Sequence, residues 1–541
     1  MTTELTRSAN ENGAGSTSES LTLPETIHTI PEALAFWAEQ TPDAPALRGI
    51  DGQAWSHREL LRTVGNVASR LSALGIDSDA RVALVLPPGV EASIALLGAM
   101  VAAIAAPLNP ESTSHELTRD LQRLAPRLVV TGGSSAGPSE SVAVALGIAT
   151  VSVDDLLAPA GHEGGPAGGL PRRDPESIAV ILHTSGTTAS PKRVPRPHRT
   201  YLACVREARA CTNLTPADVG ILTAALHTNA GVANLLAALF SGGSCVVAPG
   251  FDPVAFPDWL ADHRPSWFVS TPTEIRLLLD AATAAGRESI AGPGSRLRAV
   301  RLGAQPLPPG ILERAEQSLR ALIFDGYGMT EASYITGGGP GAGDRREGSC
   351  GRPVSTEIRV LDEDDRDLPS GATGAIVIRG PTLFPGYLDD PEANAALFLP
   401  GGWFRTGDLG YLDADGFLYL TGRAHEVINR GGAKIAPVHV DHILVRHPAV
   451  AEAAVFAVPD TRLGEDIVAA VVLKPDMTAS QRELRSWMLD RLSPYKVPRR
   501  IWVIDALPRT RTGKVQRGAL AARFLNETRR TTLTRDSPQR D

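Results

Sequence analysis

From about residue 28 to 175, short apolar runs alternate with helix-length ones, and this alternation restricts the fold more than any other feature of the chain. Arg81–Leu86 (RVALVL) reads as a strand, Val90–Ala106 as a helix and Arg127–Val130 as a strand again. Strands that are apolar along their whole length, with helices between them, imply parallel sheets covered on both faces. After a Pro- and Gly-rich stretch at 158–175, the rhythm resumes with Ser177–Leu182 (SIAVIL), Ser244–Ala248, Trp267–Ser270, Leu297–Leu302 and Leu322–Phe324. The texture changes beyond residue 350. Glu357–Asp362, Gly374–Arg379 and Gly416–Leu420 are short strands between turn residues, as in a small β-rich subdomain. A compact α+β module follows, with strands at Glu452–Val458, Asp466–Lys474 and Arg500–Ile504 around a helix at Ser480–Leu492. At 541 residues the chain exceeds one core, so more than one domain is expected.

Bulk chemistry excludes several functions. The net charge of -7 gives no basic excess for a nucleic-acid surface. The longest apolar run, Ser93–Ala106, is too short for a bilayer span. The polar first residues lack a signal-peptide core, which predicts a cytoplasmic protein. Cys204, Cys211, Cys245 and Cys350 show no metal-type spacing and read as small buried side chains of a reducing compartment.

Three segments carry chemistry. His183-Thr-Ser-Gly-Thr-Thr-Ala-Ser-Pro-Lys192 directly follows the SIAVIL strand. Its hydroxyls, backbone N–H groups and terminal lysine are what a triphosphate needs. It is not a Walker A loop, because Pro191 precedes Lys192 and Arg193 follows it. Asp325-Gly-Tyr-Gly-Met-Thr-Glu331 places an aromatic ring between glycines, where absent side chains let a base approach, beside a Thr-Glu pair suited to phosphate and Mg²⁺. Near the C-terminus, Pro508-Arg-Thr-Arg-Thr-Gly-Lys514-Val-Gln-Arg517 presents a lysine in a basic loop.

Together these segments resemble the adenylate-forming superfamily of acyl-CoA synthetases, firefly-type luciferases and nonribosomal peptide synthetase adenylation domains. Gly303-Ala-Gln-Pro, Trp403-Phe-Arg-Thr-Gly-Asp408 and Gly422-Arg-Ala-His-Glu match further family segments, so six occur in family order between about 30 and 520. The resemblance implies an α/β fold. A large N-terminal domain would hold two mostly parallel sheets packed with helices and a small β-barrel-like subdomain, and a small mobile α+β domain would follow. The expected boundaries are a tail at 1–24, an ATP- and acyl-binding domain at 25–422, a lysine-bearing domain at 423–525 and a tail at 526–541.

By the same resemblance, ATP binds through Thr184, Ser185, Gly186, Thr187, Thr188, Lys192, Gly303, Ala304, Gln305, Asp325, Gly326, Tyr327, Thr330, Asp408, Arg423 and Lys514. Tyr327 would stack on adenine, Thr330 would contact the α-phosphate, Asp408 would bind the ribose and Glu331 would help hold Mg²⁺. Lys514, with His227, Thr330 and Glu331, would be catalytic, neutralising charge as a carboxylate attacks the α-phosphorus. The acyl pocket would be formed by His227, Asn229, Gly231, Gly328, Met329 and Ser333, with the loop after Val269. His425 would mark the hinge, and Gly431-Gly432 the path of the thiol. No F-D-x-S element anchors an α-ammonium, which argues against an amino acid substrate.

The substrings Ala105-Ala-Pro-Leu-Asn-Pro, Met329-Thr-Glu-Ala-Ser and Val427-Ile-Asn-Arg-Gly-Gly resemble oxalate- and small-acid-CoA ligases. The implied reaction is ATP-dependent activation of a carboxylic acid to acyl-AMP, then transfer to a thiol, with CoA as acceptor. Alternatives are a carrier-protein phosphopantetheine or an amine as acceptor, or a degenerate non-catalytic paralogue. A monomer or a homodimer is expected. Three departures from the family pattern stand out: Ala189 and Arg193, where glycines are usual, and His425, where Asp or Lys is usual.

Overall fold

A computed structural model describes residues 21–132, 137–158, 169–184, 191–303, 307, 309–339, 345–509 and 515–535. The N-terminal part is built on two sheets. The six-stranded sheet runs in the order Ala149–Ser152, Leu128–Thr131, Arg81–Val85, Ile104–Pro107, Ile178–His183, Arg193–Pro197. Its neighbours are parallel except the last pair. The nine-stranded sheet has parallel pairing from Leu322–Met329 through Ala299–Leu302, Trp267–Ser270, Val219–Leu222 and Ser244–Val247 to Pro45–Gly49, with antiparallel strands at both edges.

One core lies between these sheets. It joins Val82, Leu84, Val130 and Leu182 of the first to Leu222, Val247, Trp267 and Phe324 of the second, through helices His57–Ala73, Val90–Ala102, His198–Thr212 and Asn229–Phe240. Separate clusters cover the outer faces, Leu117 and Leu121 on one sheet and Phe256, Ile275 and Leu278 on the other. Five layers result, and both sheets are buried on both faces, which is why their strands read as unbroken apolar runs.

The central helix ends at Ala102, and Ile104–Pro107 is a strand rather than the end of that helix. The run has no polar break, so its period is ambiguous. Parallel pairing of Ile104–Pro107 with Arg81–Leu84 decides it, and Ala103 is already extended.

A third sheet is antiparallel and five-stranded: Glu357–Leu361, Gly374–Arg379, Trp403–Leu412 and Phe398–Leu399, with Leu418–Arg423 beside the long strand. The C-terminal module has its own five-stranded sheet, centred on Val450–Asp460 and Gly464–Leu473, with one apolar cluster per face. Its last helix, Arg517–Arg535, passes beyond Asn526, where polar composition predicted a tail; Leu520 and Phe524 are buried against the sheet. All four cysteines are buried and unpaired. Among the described residues, no helix is long and apolar enough to cross a membrane.

Candidate active site

The phosphate-loop segment is the turn of a β-hairpin. Ile178–His183 pairs antiparallel with Arg193–Pro197, Leu182 opposite Val194 and His183 opposite Arg193. The Thr184 N–H donates to the Lys192 carbonyl at 3.0 Å and closes the base of the loop. Ser185, Gly186, Thr187, Thr188 and Ala189 lie outside the described residues, as do Ala304, Gln305 and Lys514. Arg193, unexpected beside Lys192, belongs to the hairpin arm. It is buried and donates to the Arg123 carbonyl at 2.6 Å, and it pairs with Asp389 at 3.1 Å. Its φ is not positive, so this backbone does not require glycine.

Lys192 leads to the first cluster. Its ammonium lies 4.3 Å from the centroid of the Tyr387 ring, a cation–π contact. The Tyr387 hydroxyl donates to Glu331 Oε1 at 2.7 Å, and Glu331 is 6% exposed. The Phe384 N–H donates to the Glu331 carbonyl at 2.8 Å. A cation, an aromatic hydroxyl and a carboxylate thus meet where the hairpin faces the Met329–Ser333 turn. Sequence reasoning missed Tyr387. Its only signal was a Pro-Gly-Tyr turn far along the chain from both partners.

The second cluster joins Tyr327, Asp408 and Arg423. The Tyr327 hydroxyl donates to Asp408 Oδ2 at 2.5 Å, and Arg423 Nε lies 3.0 Å from Asp408 Oδ1. Gly407, with a φ of 77°, permits the bend that aims Asp408 inward. The glycines flanking Tyr327 serve the protein's own packing, not an open approach to the ring. A Cβ on Gly326 would overlap the Arg301 guanidinium, and one on Gly328 would overlap the Ser333 carbonyl.

Asp325 stands next to this cluster. Burial pushes its carboxyl up to about 7, although Arg345 and Arg301 oppose that shift. Its Oδ1 is buried without a hydrogen-bond donor among the described residues. Such an orphan acceptor suits a ligand N–H, and the exocyclic amine of adenine fits it. Gly303, at the end of the neighbouring strand, donates its N–H to the Ser270 carbonyl at 3.1 Å.

The third cluster gathers residues that the sequence predicts for the acyl pocket. The Thr228 hydroxyl caps the Asn229–Phe240 helix by accepting from the Gly231 N–H, which places His227 at the helix entrance. The Asn229 amide donates to the Met329 carbonyl at 3.4 Å, and the Ser333 hydroxyl donates to Asn229 Oδ1 at 3.0 Å. Arg196, which sequence reasoning missed, joins this group through Thr330 and Ser333.

The C-terminal module contributes less. His425 is exposed, in a single 3₁₀ turn directly after the Leu418–Arg423 strand. Gly431 and Gly432 have φ values of 59° and 92° and turn the hairpin between Ile428–Arg430 and Ala433–Ile435. The segment carrying Lys514 is held at its base. Arg509 pairs with Val515 as an isolated bridge and binds Glu452 at 2.7 Å, while Arg517 contacts Glu426 and Asp441. Glu452 also faces Arg276 of the N-terminal part at 3.9 Å.

The chain resembles known proteins over most of its length. Residues 34–388 match the AMP-binding enzyme family, and 439–514 match the AMP-binding enzyme C-terminal domain. An oxalate–CoA ligase of Arabidopsis thaliana is 34% identical, over 92% of this chain and 99% of its own length. A sulfoacetate–CoA ligase of Cupriavidus necator is 35% identical, over 92% of this chain and 98% of its own. Among solved structures, ATP-bound MatB from Rhodopseudomonas palustris superposes with a TM-score of 0.83 at 28% identity, over 92% of this chain and 99% of its own. The chain therefore belongs to the AMP-binding enzyme family and is an AMP-forming acid–thiol ligase of the acyl-CoA synthetase type.

Proposed function

We propose that the preferred substrate is a short carboxylic acid carrying a second polar or anionic group, converted first to its acyl-AMP and then to its CoA thioester. The observation that carries the substrate class is the make-up of the acyl-side walls. His227, Thr228 and Asn229 at one helix entrance, and Thr330 and Ser333 on the turn that Asn229 meets, are polar, with Met329 the apolar exception. A long alkyl chain would need apolar walls instead. The relatives named above act on oxalate and sulfoacetate, both short acids with a second anionic group.

In this reading Thr184, Lys192 and the loop between them hold the phosphates. Asp325 takes the adenine amine, Tyr327 lies against the base, and Asp408 and Arg423 take the ribose. Glu331, oriented by Tyr387, supplies one carboxylate to Mg²⁺, which binds through one or two carboxylates plus substrate phosphates and, when bound, neutralises charge on those phosphates. The acid's carboxylate oxygen attacks the α-phosphorus and pyrophosphate leaves. CoA sulfur then attacks the acyl carbon and AMP leaves. Rate comes from alignment and charge neutralisation, with Lys514 aimed at the developing charge. The hinge at His425 lets the C-terminal module present first the Lys514 loop and then the Gly431-Gly432 turn.

The test is acid-dependent pyrophosphate release with MgATP and CoA over oxalate, sulfoacetate, acetate, benzoate and octanoate. Highest kcat/KM with an acid bearing a second anionic group supports the substrate class. Preference for octanoate or benzoate overturns it.

A further inference from the structure

Arg196 is a fully buried cation without an anionic partner among the described residues. Its relative exposure is 0%, and every hydrogen-bond acceptor it has among the described residues is neutral. Nη1 donates to the Thr330 carbonyl at 2.7 Å and the Ser333 hydroxyl at 2.9 Å, with Asn229 Oδ1 at 3.5 Å. Nη2 donates to the Thr382 carbonyl at 3.0 Å and lies 3.3 Å from Cys204 Sγ. Nε faces the Thr200 hydroxyl at 3.3 Å, and the guanidinium lies 4.9 Å from the Tyr201 ring centroid.

Burying an unneutralised charge is costly, and an apolar side chain of similar volume would serve packing alone better. Two features of its surroundings give the charge a use. Arg196 lies on the Arg193–Pro197 strand that directly follows Lys192, so it links the phosphate loop to the Met329–Ser333 turn. It also grips that turn at both ends, Thr330 and Ser333, and Ser333 holds a φ of 49°, a left-handed backbone that an L residue keeps only when its surroundings over-determine it.

We propose that Arg196 is a positioning residue for the acid half of the reaction: it holds the Thr330–Ser333–Asn229 frame in place and gives the acid subsite a net positive charge that the incoming carboxylate completes. The inference rests on the acyl-side assignment made above, but it does not depend on which acid is preferred. Arg196 donates to the frame and does not itself touch the substrate. Its effect falls on how well the acid is held and aligned with the α-phosphate that Thr330 meets, while ATP stays anchored through Asp325, Asp408 and Lys192.

The experiment compares full-length wild type with Arg196→Met, Arg196→Lys, Ser333→Ala and the Arg196→Met/Ser333→Ala double variant. Each is titrated with its best acid and with ATP, and kinetics are normalised to active sites counted by single-turnover acyl-AMP formation. Arg196→Met should lower acid kcat/KM by about 10²-fold, the loss that a misplacement of about 1 Å in the aligned groups can cause. The acid KM should rise while the ATP KM stays within about twofold. Arg196→Lys should recover part of the loss, because it restores the charge without the fork. The double variant should be little worse than Arg196→Met, since both act through one frame.

A merely structural arginine would lower the active fraction and leave both KM values alone. That outcome overturns the proposal, as do additive effects in the double variant. If Arg196→Met does not fold, Ser333→Ala carries the test. An unchanged acid KM in that variant also overturns the proposal. A changed acid preference with these patterns intact would count against the proposed substrate class only.

Discussion

Asp325, the residue proposed to take the adenine amine, is also a stability element. Burial raises its carboxyl from an ordinary value near 4 to about 7, so the folded state resists its ionisation. A raised carboxyl contributes stability below the unfolded value and loses it as pH climbs through the folded one. The nucleotide-free protein should therefore weaken between about pH 4 and 7, by up to about 4 kcal/mol from this group at 1.36 kcal/mol per unit. Glu207, also pushed up to about 7 by burial, acts in the same direction, so the comparison that isolates Asp325 is with Asp325→Asn. Urea unfolding at pH 5 and pH 7.5 should show a smaller pH-dependent loss in the variant than in wild type. Equal losses would contradict the orphaned, buried carboxyl. The residues that define this site differ in how well they can be read from sequence. Lys192, Tyr327, Glu331 and Asp408 sit in short local patterns that declare their chemistry. Tyr387 and Arg196 become meaningful only when chain segments 56 and 134 residues apart meet, at Glu331 and Thr330.

Among the elements, the helix Asn229–Phe240 bears most directly on the proposed acid subsite, because its first turn carries Asn229 and follows His227. Gly231 is essential there for space. A Cβ would overlap the Ala225 carbonyl, a backbone atom that cannot move aside cheaply. Gly231→Ala should destabilise the protein by about 1–3 kcal/mol, as overpacking does, and raise the acid KM through displacement of the helix entrance. Thermal unfolding and acid titration check both parts, and an unshifted Tm would show that the loop relaxes freely. Most strands were legible because parallel strands buried on both faces are continuously apolar. The helix boundary at Ala102 was not, since an unbroken Ala-, Gly- and Val-rich run has no period to separate helix from strand. Arg193–Pro197 was missed as a strand because two prolines disguise it. It survives as an edge strand of its sheet, where proline is tolerated.

For the whole molecule, the proposed two-step reaction requires the C-terminal module to turn between half-reactions. The contacts that now span the two parts suit such movement. Arg276–Glu452 and Lys434–Glu363 are partly or largely exposed ion pairs, which stabilise little and exchange readily with water. His425 lies in the exposed turn between the parts. His425→Pro should slow thioester formation from acyl-AMP far more than it slows adenylation, because proline locks φ where the chain must pivot. Equal loss of both steps would place the hinge elsewhere. The central claim is that one site, served in turn by Lys514 and by a thiol path, adenylates an acid and then transfers it to CoA. The most direct measurement follows the two half-reactions separately in wild type and Lys514→Ala: pyrophosphate release with the best acid and MgATP, and thioester formation from supplied acyl-AMP and free CoA. The account predicts that CoA accelerates steady-state pyrophosphate release in wild type, and that Lys514→Ala slows adenylation by about 10²–10³-fold while sparing thioester formation. Pyrophosphate release indifferent to CoA, or a variant equally slow in both steps, would contradict it.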